Sequence, residues 1–112
     1  LAVEAATQLE SRGVSCGVAS MGSLKPLDTK LLGDVFTSAK VVATLEEHSV
    51  LGGLGTATAE WLAAQPAQAK ARLVTFGTPD EFLHATTHQP SAREWAGLTV
   101  ENMTQRLASA LN

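Results

Sequence analysis

The stretch from Val41 to Gly55 constrains this chain more than any other. An apolar run, Val41-Val42-Ala43-Thr44-Leu45, ends abruptly in Glu46, Glu47 and His48. Gly52, Gly53 and Gly55 follow within four positions, and residues 56–62 then carry the spacing of a helix. Strand, polar turn, glycine loop and helix in that order is the local arrangement of an α/β protein. In such proteins the functional loops sit at the C-terminal ends of strands.

The same alternation extends along the chain. Residues 2–12 are Ala-rich, with Val3, Ala6 and Leu9 on one stripe, and Gly13 is placed to end that helix. Residues 14–20 read as a short buried strand of small residues. A helix leading directly into a strand is half of a βαβ unit, so a strand is expected before Ala2. The chain also starts on Leu1 rather than Met, and it reads as an excised piece of a longer polypeptide. Pro26 keeps Lys25 out of a helix, and Asp28 is placed to cap one over residues 29–37, with Leu31, Leu32, Val35 and Phe36 inward. Residues 39–45 form the next strand, apolar throughout as a parallel strand covered on both faces should be. A helix over residues 54–64, with Ala57, Trp61, Leu62 and Ala64 in contact, stops before Pro66. A strand follows at residues 71–76, then a turn at residues 77–80 and a short helix at residues 81–84. Residues 86–91 read as irregular, with a helical turn at residues 91–95 ended at Gly97. Thr99 caps a terminal helix over residues 100–111, striped by Val100, Met103, Leu107 and Leu111. Residues 1–112 thus read as a single α/β domain with a largely parallel sheet and helices on both faces.

Composition narrows the functional classes. The net charge is −3 and the 8 basic residues are scattered. That argues against a nucleic-acid partner, which needs clustered Lys and Arg, and leaves no basic stripe for a membrane surface. No apolar run has the length of a membrane span, and no signal-peptide pattern is present. The single cysteine, Cys16, cannot form an internal disulfide, so nothing calls for an oxidising compartment. It reads as a small buried strand residue, without the basic neighbour that activates a thiol.

Three segments together resemble a known family: Leu24-Lys25-Pro26-Leu27-Asp28, the run from Val41 to His48 with Gly52-Gly53-Leu54-Gly55, and residues 75–82 with Gly97-Leu98-Thr99. Preceded by the Ala-rich helix, they are similar in order and spacing to the C-terminal domain of the transketolase family of thiamine-diphosphate enzymes. Each motif alone is weak; the ordered set covers nearly the whole chain. The resemblance implies a three-layer α/β/α domain with a five-stranded, mostly parallel mixed sheet whose first strand precedes Leu1. It implies that cofactor binding and substrate chemistry belong to other domains. Thiamine diphosphate and a divalent metal are therefore expected in the parent enzyme and not in this domain. None of the family's cofactor-contacting residues matches a position here. The implied partners are other domains or a subunit of the parent, itself a homodimer, and the expected setting is cytoplasmic carbohydrate metabolism with two-carbon ketol transfer on sugar phosphates. Full-length transketolases, deoxyxylulose-phosphate synthases and stand-alone C-terminal halves are all similar in this respect. In the related 2-oxoacid dehydrogenase subunits the equivalent domain also helps to dock a partner.

The residues themselves keep rival readings open. Gly52, Gly53 and Gly55 open a helix whose N-terminal N–H groups suit an anion, which would make the chain an autonomous phosphate- or nucleotide-binding module. Against this, Gly-Gly-x-Gly is not the dinucleotide fingerprint, and glycines also serve a tight turn and a close helix–sheet approach. Glu46, Glu47 and His48 hold proton-transfer groups at a strand end. Successive side chains on an extended segment point to opposite sides, however, so the three do not converge, and an inter-domain hydrogen-bonding role is the alternative. His84 and His88 lack the acid of a His-Glu-x-x-His metal motif. Lys25 reads as a solvated loop cation, and Trp61 and Trp95 as packing residues.

Overall fold

A computed structural model of the chain describes residues 1–66, 70–81 and 88–112. Its elements run α1 (Ala2–Ser11), α2 (Thr29–Ser38), β1 (Val41–Ser49), α3 (Leu54–Ala63), β2 (Arg72–Thr78), α4 (Gln89–Trp95) and α5 (Val100–Ala110). The two strands are parallel, pairing Val41 with Arg72 through Leu45 with Phe76. The register slips between Leu45 and Ser49, and Ser49 then faces Thr78.

Helices cover both faces of this sheet. On one side Val74 and Phe76 pack with Ala5, Leu98 and Met103, and Val41 and Leu45 lean on the same cluster. On the other side Leu32, Phe36 and Ala71 are joined by Val42, Leu73, Trp61 and Leu62. Odd-numbered residues of β1 thus face α1 and α5, and even-numbered ones face α2 and α3, as strand alternation requires. The arrangement is α/β/α in three layers. Trp61 stacks at a tilt on Phe36, ring centroids 5.6 Å apart, whereas Trp95 is 39% exposed.

The helix ends follow from their cap residues. Asp28 accepts a bond from the Leu31 N–H at 3.0 Å, and Thr99 Oγ1 accepts one from Asn102 at 3.2 Å. α1 and α4 both end in a Schellman turn. Gly13 (φ +84°) and Gly97 (φ +73°) take the left-handed position. Val14 then donates to the Leu9 carbonyl, and Leu98 to that of Arg93.

Several expectations are corrected. Residues 14–20 form no ladder among the described residues, and Val18 is 52% exposed. An extended segment becomes a strand only when a neighbour takes up its backbone groups, and Ser15, Gly17, Ala19 and Ser20 offer little side-chain area to hold it on a sheet. Cys16 is accordingly half-buried rather than enclosed. The run Glu46-Glu47-His48 is not a turn, because β1 continues through it to Ser49. The last helical turn before Gly97 begins at Gln89, not Ser91, with Pro90 in its first turn, where a missing N–H costs nothing. α3 contacts the sheet through buried Gly55 and Thr58 as well as Trp61 and Leu62, while Ala64 is exposed. Of the five strands that the resemblance implied, the described residues contain two, plus an isolated antiparallel bridge between Leu24 and Leu27. The helix at residues 81–84, including His84, and the irregular segment starting at residue 86 lie wholly or partly outside the described residues.

Candidate functional site

The candidate site is the C-terminal end of β1 with the loop into α3. Strand alternation splits its three polar residues between two sides. Glu46 turns toward α3. Its two oxygens accept bonds from the Leu54 N–H at 2.9 Å and the Gly55 N–H at 2.8 Å. These are two of the donors that a helix start leaves unpaired, and the carboxylate also complements the positive end of the helix dipole. The N-cap itself is Gly53, which has no side chain to offer. A residue seven positions earlier, on a different element, therefore does the capping.

The glycines make this contact possible. A Cβ on Gly53 would lie 1.9 Å from Glu46 Oε1 and 3.0 Å from His48 Nδ1. A Cβ on Gly55 would lie 2.9 Å from Thr75 Cγ2 and 3.1 Å from Thr44 Oγ1, so this glycine brings α3 down onto both strands. Gly52 has φ +79°, the left-handed turn into the helix. Its N–H donates to Thr56 Oγ1 at 3.0 Å, and that hydroxyl donates to the Val50 carbonyl at 3.1 Å, closing the loop on itself. Across the strand end, a Cβ on Gly77 would meet the His48 carbonyl at 2.8 Å.

His48 lies on the Glu46 side, Nδ1 to Oε1 3.8 Å, with its side chain 63% exposed. Its Nδ1 is 3.0 Å from the Ser49 carbonyl. Glu47 points the other way, to α4. Gln89 Nε2 donates to one of its oxygens at 2.6 Å, and the Arg93 guanidinium pairs with the other. The bond from Gln89, then that from Arg93, lowers the Glu47 pKa below the ordinary carboxylate value. Glu47 and His48 therefore cannot serve one substrate atom together.

A shallow groove of about 400 Å³ runs between the loop at Met21–Leu24 and Glu46, His48, Gly53 and Leu54. Exposed Leu24 borders it, and the exposed Leu51 belongs to the neighbouring glycine loop. Lys25 is exposed in the turn closed by the Leu24–Leu27 bridge. Burial, then repulsion from Glu10, raises the Cys16 pKa, which favours the protonated thiol over the thiolate. His88 is hydrogen-bonded to Ser91, Nδ1 to Oγ 3.0 Å. Among the described residues, no three His, Cys, Asp or Glu side chains are grouped to hold a metal. No helix among them is long and apolar enough to cross a membrane.

Sequence reasoning missed Gln89 and Arg93. Their four-residue spacing puts both on one helix face, which was a readable signal once that helix was known to start at Gln89. Nothing in the sequence marked the loop at Met21–Leu24 as the opposite wall of the groove.

The anion-site reading meets a chemical obstacle here. Two of the donors that a phosphate would use, the Leu54 and Gly55 N–H groups, are already bonded to Glu46, so a phosphate taking them would have to displace a carboxylate.

Comparison with known proteins finds a family and several similar chains. The family model described as "Transketolase, C-terminal domain" matches residues 1–103. The chain is 43% identical over 93 residues to the 1-deoxy-D-xylulose-5-phosphate synthase of Chlorobium luteolum, covering 83% of this chain and 14% of that protein. To the synthase of Pseudoalteromonas translucida it is 33% identical over 94% of this chain and 16% of that one. A solved structure described as "Split gene transketolase, inactive beta4 tetramer" superposes with a TM-score of 0.84 at 39% identity, over 98% of this chain and 35% of the other. The chain thus spans a small part of the relatives it matches. None of these comparisons lends support to a self-contained phosphate- or nucleotide-binding module. The chain belongs to the transketolase C-terminal-domain family.

Proposed function

We propose that this chain is the non-catalytic C-terminal module of a thiamine-diphosphate enzyme that transfers two-carbon ketol units on sugar phosphates. The observation that carries this reading is the Glu46 clamp. The helix start whose glycines suited an anion has two of its N–H groups bonded to the chain's own carboxylate. Among the described residues no three His, Cys, Asp or Glu side chains are grouped to hold the divalent metal, and metal and thiamine diphosphate are both assigned to the rest of the parent enzyme. The names of the synthase and transketolase relatives support that parent activity.

The module's work is assembly. The groove beside Glu46 and His48, with exposed Leu24 (46%) and Leu51 (58%), is the face that packs against another domain or subunit of the parent. His48 supplies a polar contact at its rim. A homodimeric parent working in the cytoplasm completes the reading. A solved neighbour described as an inactive tetramer is in keeping with a related chain that assembles without turnover.

Calorimetry tests this directly. Thiamine diphosphate with magnesium, titrated into the chain, is expected to give no binding heat. A saturable isotherm in the micromolar range would overturn the proposal.

A further inference from the structure

α4 stands apart from the rest of the fold. None of its residues is buried, and none belongs to either apolar cluster. A seven-residue helix has little stability of its own. Something else holds it in place: Ala96, just after it, packs on the cluster around Phe76, the Leu98 N–H bonds the Arg93 carbonyl, and two side-chain fastenings add to these.

The first is at its C-terminal end. The Asn102 side chain donates to the Gly97 carbonyl at 2.7 Å. The Gly97 Cα lies so close to that amide that a Cβ would sit 3.1 Å from Nδ2. Leu98, the next residue, is only 2% exposed. Gly97 is therefore a fixed pivot on the start of α5. The second fastening is Glu47. Both of its oxygens are used, one by Gln89 in the first turn of α4 and the other by Arg93 one turn later. A single carboxylate on the sheet thus ties down both turns of the helix.

We infer that α4 is a hinged flap, pivoting at Gly97 and latched to the end of β1 by Glu47. Its opening is a local event that lifts only the partly buried Ala96 from the apolar clusters and leaves their buried residues in place. This inference does not depend on what the parent enzyme does. Exposed pairs are weak, so the latch holds a closed state that is readily opened.

Hydrogen exchange on the whole chain reads the flap directly. Glu47→Ala is expected to speed exchange at Ala92–Trp95 about fivefold, the effect of losing a weak exposed pair. The amides of β1, β2 and α5 should keep their original rates. The reversed pair, Glu47→Arg with Arg93→Glu, should slow the α4 amides again. Unchanged α4 rates in Glu47→Ala overturn the inference. So does a rise shared equally by β2 and α5, which means general loss of stability. Failure of the reversed pair to slow exchange overturns the ion-pair latch.

Discussion

Glu46 and Glu47 are neighbours in sequence with the same chemistry, and each uses both carboxylate oxygens to hold a helix. They differ in direction and burial. Glu46 faces the α2–α3 side and its side chain is 12% exposed; Glu47 faces the α4 side and is 42% exposed. The first takes up backbone N–H groups that have no other partner. The second holds side chains that water would satisfy if it let go. Leaving a buried donor unpaired costs far more than releasing an exposed one. The same residue type therefore builds a fixed corner on one side of the strand and a loose fastening on the other.

The sharpest way to break this contrast is at Gly53. Its φ of −105° is open to any residue, so the obstacle is contact alone. Gly53→Ala puts a methyl group where Glu46 Oε1 lies. We expect a loss of about 3 kcal/mol in urea unfolding, from overpacking together with the lost cap. Glu46→Ala leaves the backbone undisturbed but strips two helix N–H groups of their acceptor. About 2 kcal/mol is expected. Glu47→Gln should lower the melting temperature least of the three. Its effect should also depend on pH. Because the Glu47 pKa is lowered in the folded chain, its contribution is present above the ordinary carboxylate range and is lost as pH falls through the lowered value. The melting gap between wild type and Glu47→Gln should therefore be steady near neutrality and close in strong acid. A gap that widens on acidification would reverse the assignment.

How far the sequence could be read follows the same division. Local signals were legible: Asp28 and Thr99 as caps, Gly13 and Gly97 as stops, the apolar run of β1 and the layered α/β/α order. Those rest on neighbours a few residues apart. The use of Glu46 as a cap joins two elements and was hidden, because a capping acid is normally sought beside its own helix. Residues 14–20 misled for a related reason. Their pattern suits a strand, but a strand also needs a partner that no local pattern supplies. The buried Thr58 and Thr104 escaped an apolar search because their hydroxyls disguise residues with no exposed surface. Thr104 meets Gln8 of α1 at 3.3 Å, a pairing across nearly the full chain length.

Glu46, and not an external anion, completes the start of α3. Thermal melting of the wild-type chain across a series of inorganic phosphate concentrations tests this, against a phosphate-free control matched in ionic strength with chloride. A flat melting temperature is expected, because the Leu54 and Gly55 donors are already engaged. A saturable rise with phosphate, beyond the matched control, would contradict it.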